Sequence, residues 1–248
     1  MKCGVFDSGI GGLSVAGEIL KAGLFEEIVY FGDTARVPYG NKNETTIIRY
    51  SLEALEFLKN FDIDFLVVAC NSASSVAIDD LKKESNFPVL GVISAGVEAL
   101  KGAEKEANIL LIGTKRTISS GKYQTLLQNE GFKNVISVAT PLFVPFVEEG
   151  IVKGELIKKV YDLYFQNIQK EKIDYVILGC THYPFLSDSL GEYFPNAKLI
   201  HSGQAIVDQI KKRYGLKGCK KTSLKLYASD NPEELRKKAK EWLGFSQV

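Results

Sequence analysis

The chain has 248 residues, of which 45% are hydrophobic and 25% charged; this is ordinary for a soluble globular protein and long enough for one large domain or two. A balance of 31 basic and 30 acidic residues leaves a net charge of +1, which offers no bulk attraction to nucleic acid or anionic lipid. No apolar run approaches the ~20 residues that span a membrane, and the four cysteines (Cys3, Cys70, Cys180, Cys219) show neither CxxC spacing nor a dense framework, so neither a metal site nor a disulfide scaffold is expected.

Met1-Lys2 leads straight into a strand-like run, with nothing that reads as a secretion signal; the expectation is a cytoplasmic protein with free thiols. Short apolar runs predict strands over 2–6, 28–31, 65–69, 88–92, 108–112, 135–138, 175–178, 198–200 and 224–227. Between them, helical periodicity is clearest over 44–60, 153–169 and 206–214. Basic clusters such as Lys211-Lys212-Arg213 and Lys237-Lys238 lie among acids and apolar residues and read as solvated helix faces. A last helix has Asp230 or Asn231 as cap and Pro232 at its first position, followed by Glu233 and Glu234. The alternation predicts an α/β fold with mainly parallel sheets.

A faint internal repeat refines that expectation. The run Phe65–Ala69 ends in Cys70-Asn71-Ser72, and the run Tyr175–Leu178 ends in Gly179-Cys180-Thr181-His182. Val5-Phe6-Asp7-Ser8 has a similar counterpart in Leu111-Ile112-Gly113-Thr114 at nearly the same offset. Two similar α/β lobes related by pseudo-symmetry are therefore expected.

In open parallel sheets, ligands gather at the carboxyl ends of strands, where helix N-termini also point. Asp7-Ser8, Asp33-Thr34, Cys70-Asn71-Ser72, Thr114 and Cys180-Thr181-His182 all fall at such ends. Each alone reads as an ordinary helix cap; five together, two with cysteine, point to a site. Cys3 inside a strand and Cys219 between lysines read as ordinary small hydrophobes. Cys70 and Cys180 occupy strand-to-helix junctions, where the helix end and its amides are expected to favour thiolate. Two matched thiols suit a two-sided proton transfer.

His182 shares a turn with Cys180 and reads as an acid, a base or an orienting partner, or more blandly as a helix-start residue bonded to backbone. His201, beside Ser202-Gly203, is a weaker candidate for the same rim. The loop Asp7-Ser8-Gly9-Ile10-Gly11-Gly12 starts like a dinucleotide fingerprint, but Ser14 replaces its third glycine and Asp7 would repel a pyrophosphate. Its glycines instead suit close approach of backbone to a small carboxylate. Val37-Pro38-Tyr39-Gly40 reads as a turn that either presents Tyr39 to a ligand or merely packs it. Thr114 and Thr117 share one side of a helix start. Glu148-Glu149-Gly150 reads as a helix end, a poor place for acids unless one serves a pocket.

The set Phe6-Asp7-Ser8-Gly9-Ile10-Gly11-Gly12, Pro38-Tyr39-Gly40, Ala69-Cys70-Asn71-Ser72-Ala73-Ser74, Val147-Glu148-Glu149-Gly150 and Gly179-Cys180-Thr181-His182-Tyr183-Pro184 resembles the bacterial glutamate racemases, in order and over nearly the whole chain. The resemblance implies two α/β lobes, 1–93 completed by 208–248 and 94–207, with the active site between them. It implies a small-molecule substrate, no cofactor, and Cys70 as the base for D-glutamate with Cys180 as the base for L-glutamate. Asp7 would assist Cys70, His182 would assist Cys180, and Glu148 would tune the second side. Asp7, Ser8, Tyr39, Gly40, Asn71, Ser72, Thr114, Thr117, Thr181 and His182 would hold the substrate, with Asp33 a weaker candidate. Homodimers and a supply of D-glutamate for cell-wall precursors are also implied. One departure stands out: Ser72 occupies a place where the family usually has threonine, which keeps the hydroxyl but loses a stiffening methyl.

The α-hydrogen of an amino acid is a very weak acid, and no pyridoxal-lysine motif is apparent, so hydroxyls, amides and helix ends would have to stabilise the carbanion. The rival expectations are a racemase of aspartate or another acidic amino acid, a hydrolase built on Cys180 and His182, and a sensor that binds glutamate without turnover.

Overall fold

The computed structural model describes residues 1–216, 218–219 and 221–244. Among these residues nine strands appear in chain order: β1 (Lys2–Asp7), β2 (Glu27–Gly32), β3 (Phe65–Val68), β4 (Val89–Gly91), β5 (Asn108–Gly113), β6 (Asn134–Ala139), β7 (Tyr175–Gly179), β8 (Lys198–Ile200) and β9 (Ser223–Ala228). They form two sheets, ordered β4-β3-β1-β2-β9 and β6-β5-β7-β8, and every pairing is parallel. Reversing the second order gives β8-β7-β5-β6, which matches β4-β3-β1-β2 strand for strand. The structural repeat thus equates β1 with β5 and β3 with β7, the same pairs that the sequence repeat picks out.

The inner strands are apolar because both faces are covered. Cys3 and Val5 of β1 and Ile28 and Tyr30 of β2 join one core layer, while Phe6, Val29 and Phe31 join the layer on the opposite face. In β5, Leu110 and Ile112 face one layer and Ile109 and Leu111 the other. This period-two division between two buried layers is what a helix-covered strand requires.

All nine predicted strands are present, with shifts at their ends. The run over 88–92 pairs only from Val89 to Gly91, opposite Leu66–Val68. Strand β3 ends at Val68, so Val92 has no partner and instead starts the helix Val92–Glu98. The helix predicted over 44–60 runs Glu44–Lys59, capped by Asn43, whose side chain accepts the Thr46 N–H at 2.8 Å. The helix predicted over 153–169 is shorter, Glu155–Phe165. The one predicted over 206–214 starts earlier, at Ser202, because the His201 ring accepts N–H bonds from Gly203 and Gln204. For the last helix, Pro232–Leu243, the cap is Asn231 rather than Asp230.

Strand β9 extends the first sheet beside β2, so the chain returns to its first lobe. The helix Ser202–Tyr214 spans the expected 207/208 limit and sends Ala205, Ile206, Val207 and Ile210 into the first-lobe core. No helix among the described residues is long and apolar enough to cross a membrane.

Candidate active site

The carboxyl ends of β1, β3, β5 and β7 carry Asp7-Ser8, Cys70, Thr114 and Cys180, and the two lobes bring these ends face to face around a cavity of about 340 Å³. Of the residues expected at the site, Ser8, Tyr39, Gly40, Cys70, Asn71, Ser72, Thr114, Glu148, Cys180, Thr181 and His182 line it. Asp7 and Thr117 are buried and lie behind the lining. Asp7 accepts the Gly9 N–H at 2.9 Å and faces the Thr181 hydroxyl at 3.4 Å; Thr117 Oγ1 stands 3.0 Å from Thr114 Oγ1. Both therefore position residues that reach the cavity.

Cys70 caps the short helix Asn71–Val76, with the Ala73 N–H 3.5 Å from its sulfur and Ser8 Oγ at 3.4 Å. These contacts favour thiolate, as expected of a helix start, but they do not decide the balance. Burial and the neighbouring Asp7 charge push the thiol up to about 12, so Cys70 rests as a thiol. The thiolate-favouring contacts expected of a helix start are present, and burial outweighs them. Asp7 itself is raised by burial, against the opposing pull of His182 and the N–H groups of Gly9 and Gly12.

Across the cavity, Cys180 Sγ lies 3.9 Å from His182 Nδ1, and His182 Nε2 pairs with Glu148 Oε1 at 3.0 Å. Burial pulls the imidazole down, but its bonds to Cys180 and Glu148 outweigh this and raise it to about 10. A positive imidazolium beside Cys180 is therefore the resting state at neutral pH. Glu148 ends the helix Phe143–Glu148, and Gly150 follows with φ of 73°. That unfavourable place for an acid is offset by the partner it finds in His182.

The remaining candidates separate. Tyr39 lines the cavity, yet its hydroxyl donates to buried Asp33 at 2.5 Å, and Asp33 also takes Arg36 and Ser229. Asp33 is a structural hub outside the lining, and His201 is the helix cap described above. In the glycine loop Gly9 lines the cavity, while Gly11, like Gly40 of the following turn, meets the opposite lobe. A Cβ on Gly11 would stand 2.4 Å from His182 Nδ1 and Thr181 Oγ1, and one on Gly40 would stand 2.7 Å from Thr114 Cβ. These glycines let the two lobes close upon each other.

Sequence reasoning missed the apolar wall of Val37, Pro141, Val144 and Pro145, and it missed Lys115, which also lines the cavity. The proline pair just ahead of Glu148 was the available signal for the wall. It also missed Trp242, whose ring stands edge-on to His182 at 6.1 Å; a single tryptophan on an amphipathic helix reads as core.

Fold and site together define a two-lobed α/β enzyme that presents one thiol from each lobe to a shared cavity. The family model described as Asp/Glu/Hydantoin racemase matches residues 19–210, and the chain belongs to that family. It is 55% identical over 247 residues to the glutamate racemase of a Nitratiruptor species, covering 98% of this chain and 96% of the relative. The crystal structure of glutamate racemase from Campylobacter jejuni superposes with a TM-score of 0.97 at 50% identity, with 100% of both chains covered. The Francisella tularensis glutamate racemase, solved in complex with D-glutamate, gives 0.88 at 31% identity, over 98% of this chain and 94% of that one.

Proposed function

We propose that this chain interconverts L- and D-glutamate by moving the α-proton between two thiols and the substrate carbon, without a cofactor. The observation that carries the reading is that Cys70 and Cys180 end equivalent strands of two like sheets and line one cavity. Inversion at carbon needs a base on one face and an acid on the other, and two lobes of matching topology supply one group each.

With D-glutamate bound, the Cys70 thiolate takes the α-proton and the electron pair stays on carbon, delocalised into the α-carboxylate. The Cys180 thiol then delivers its proton to the opposite face, leaving Cys180 as thiolate and Cys70 as thiol. The reverse sequence serves L-glutamate. Imidazolium at His182, held by Glu148, stabilises negative charge on Cys180. On the other side, the buried Asp7 carboxylate, its proton affinity raised by burial, is the group placed to take the Cys70 proton, and the substrate's ammonium stabilises the thiolate left behind. Hydroxyls of Ser8, Ser72, Thr114 and Thr181 and the Asn71 amide serve the carboxylates, in a cavity closed enough to strengthen each contact.

The relatives' name and the D-glutamate complex of the Francisella protein support glutamate as substrate. A homodimer, a cytoplasmic location and a supply of D-glutamate for peptidoglycan complete the proposal. The test is proton NMR of the protein with L- or D-glutamate in D₂O, without added cofactor, beside chiral analysis. Loss of the α-proton signal with appearance of the other enantiomer is expected. Retention of the α-proton with both enantiomers overturns the glutamate reading and makes aspartate the next substrate to try.

A further inference from the structure

Asn71 follows Cys70 directly and lines the cavity. Its Oδ1 accepts a hydrogen bond from the Tyr123 hydroxyl at 3.0 Å. Its Nδ2 is buried and has no acceptor among the described residues. Tyr123 belongs to the second lobe, on the helix Lys122–Asn129, and is fully buried. Its hydroxyl reaches the first-lobe helix by passing Gly96, where a Cβ would stand 3.2 Å from the phenol oxygen. A glycine inside the helix Val92–Glu98 thus keeps that passage open.

An amide has one accepting end and one donating end, and rotation by half a turn exchanges them. In the orientation observed, the Tyr123 hydroxyl donates to Oδ1. That orientation leaves a buried N–H₂ without a partner, an arrangement that is costly unless a ligand accepts from it. The acceptor-rich ligand of this cavity is an amino-acid carboxylate.

We infer that Tyr123 is a positioning residue: its hydroxyl holds the Asn71 amide so that Nδ2 donates to a substrate carboxylate. The inference rests on the racemase reading above. It makes substrate binding in the first lobe depend on a side chain of the second, so the donor is set only when the lobes are together.

The test compares Tyr123→Phe with Tyr161→Phe in the full chain. Tyr161 is an equally buried phenol whose hydroxyl pairs with Ser189 in the second-lobe core, so it controls for loss of a buried hydrogen bond. Tyr123→Phe is expected to raise KM for both enantiomers about fivefold, the scale of one hydrogen bond, with kcat nearly unchanged. Tyr161→Phe leaves KM alone. In an Asn71→Ala background, Tyr123→Phe adds nothing further to KM. An unchanged KM in Tyr123→Phe, or an equal rise in the Asn71→Ala background, overturns the inference. Should Tyr123→Phe fail to fold, Asn71→Asp keeps the shape and the Tyr123 bond but removes the donor; it raises KM about tenfold or more, and an unchanged KM again overturns the inference. If the wild-type protein exchanges no α-proton, the racemase reading fails on its own account. D-glutamate calorimetry on the same variants then decides the role of Tyr123: weaker binding supports it and equal binding overturns it.

Discussion

Gly11→Ala is the sharpest test of how the lobes meet. The added Cβ would stand 2.4 Å from His182 Nδ1 and Thr181 Oγ1, where ordinary contact is roughly 3.5 Å, so something must retreat by about 1 Å. Gly11 is not among the positive-φ glycines, so the cost is one of space and not of backbone strain. The neighbours are poorly placed to yield. Ser14 Oγ donates to the Thr181 carbonyl at 2.7 Å, and His182 is tied to Glu148. Overpacking of this kind costs about 1–3 kcal/mol, and a chain of this size loses about 2–4 °C of Tm per kcal/mol. A displacement of about 1 Å at a catalytic pair costs on the order of 10²-fold in rate. Gly191→Ala is the control: its Cβ would meet nothing within 4 Å, and inside the helix Ser187–Tyr193 alanine adds up to about 1 kcal/mol. Initial rates by chiral chromatography and thermal unfolding by circular dichroism read both variants. Gly11→Ala with wild-type kcat/KM in both directions would refute the reasoning.

Cys70→Ser and Cys180→Ser each remove one partner of the transfer. Each is expected to lower racemisation by at least about 10²–10⁴-fold while circular dichroism shows the fold retained. The imidazole of His182, raised from 6.5 to about 10, adds stability that is complete below pH 6.5 and lost as pH rises through about 10. Glu148→Gln removes one source of that shift; since the Glu148 side chain is 42% exposed, solvent screening limits the loss to about 1 kcal/mol or less. The Tm gap between wild type and Glu148→Gln is therefore widest near pH 6 and closes toward pH 10; a gap that widens with pH contradicts the assignment. Phe143→Ala deletes a fully buried ring packed edge-on against Tyr161 and Tyr183. It should cost about 3–5 kcal/mol by denaturant titration, and activity falls with it because the same helix carries Glu148.

Much of the fold is legible because parallel strands covered on both faces advertise themselves as short apolar runs. Helix starts are less so: Ser202 opens a helix because the His201 ring caps it, a choice that depends on one side-chain rotamer. The cavity residues are readable where they sit at strand ends, since Cys70, Thr114 and Cys180 announce the strand-to-helix junction locally. What escapes is whatever depends on the opposite lobe. Gly11 reads as a loop glycine until His182, far along the chain, is seen against it. The protonation of Cys70 escapes because the helix start is local, whereas burial and the Asp7 carboxylate come from the assembled fold. Tyr123, one residue after a lysine in a plain amphipathic helix, carries no signal of the amide it reaches.

The measurement that bears most directly on transfer between two thiols is the position of deuterium after a few per cent conversion of L-glutamate in D₂O. Two separate bases predict that the D-glutamate formed carries solvent deuterium at the α-carbon while the remaining L-glutamate keeps its proton. Product that retains the original proton, or substrate that acquires deuterium as fast as product appears, would contradict it and point to a single base working on both faces.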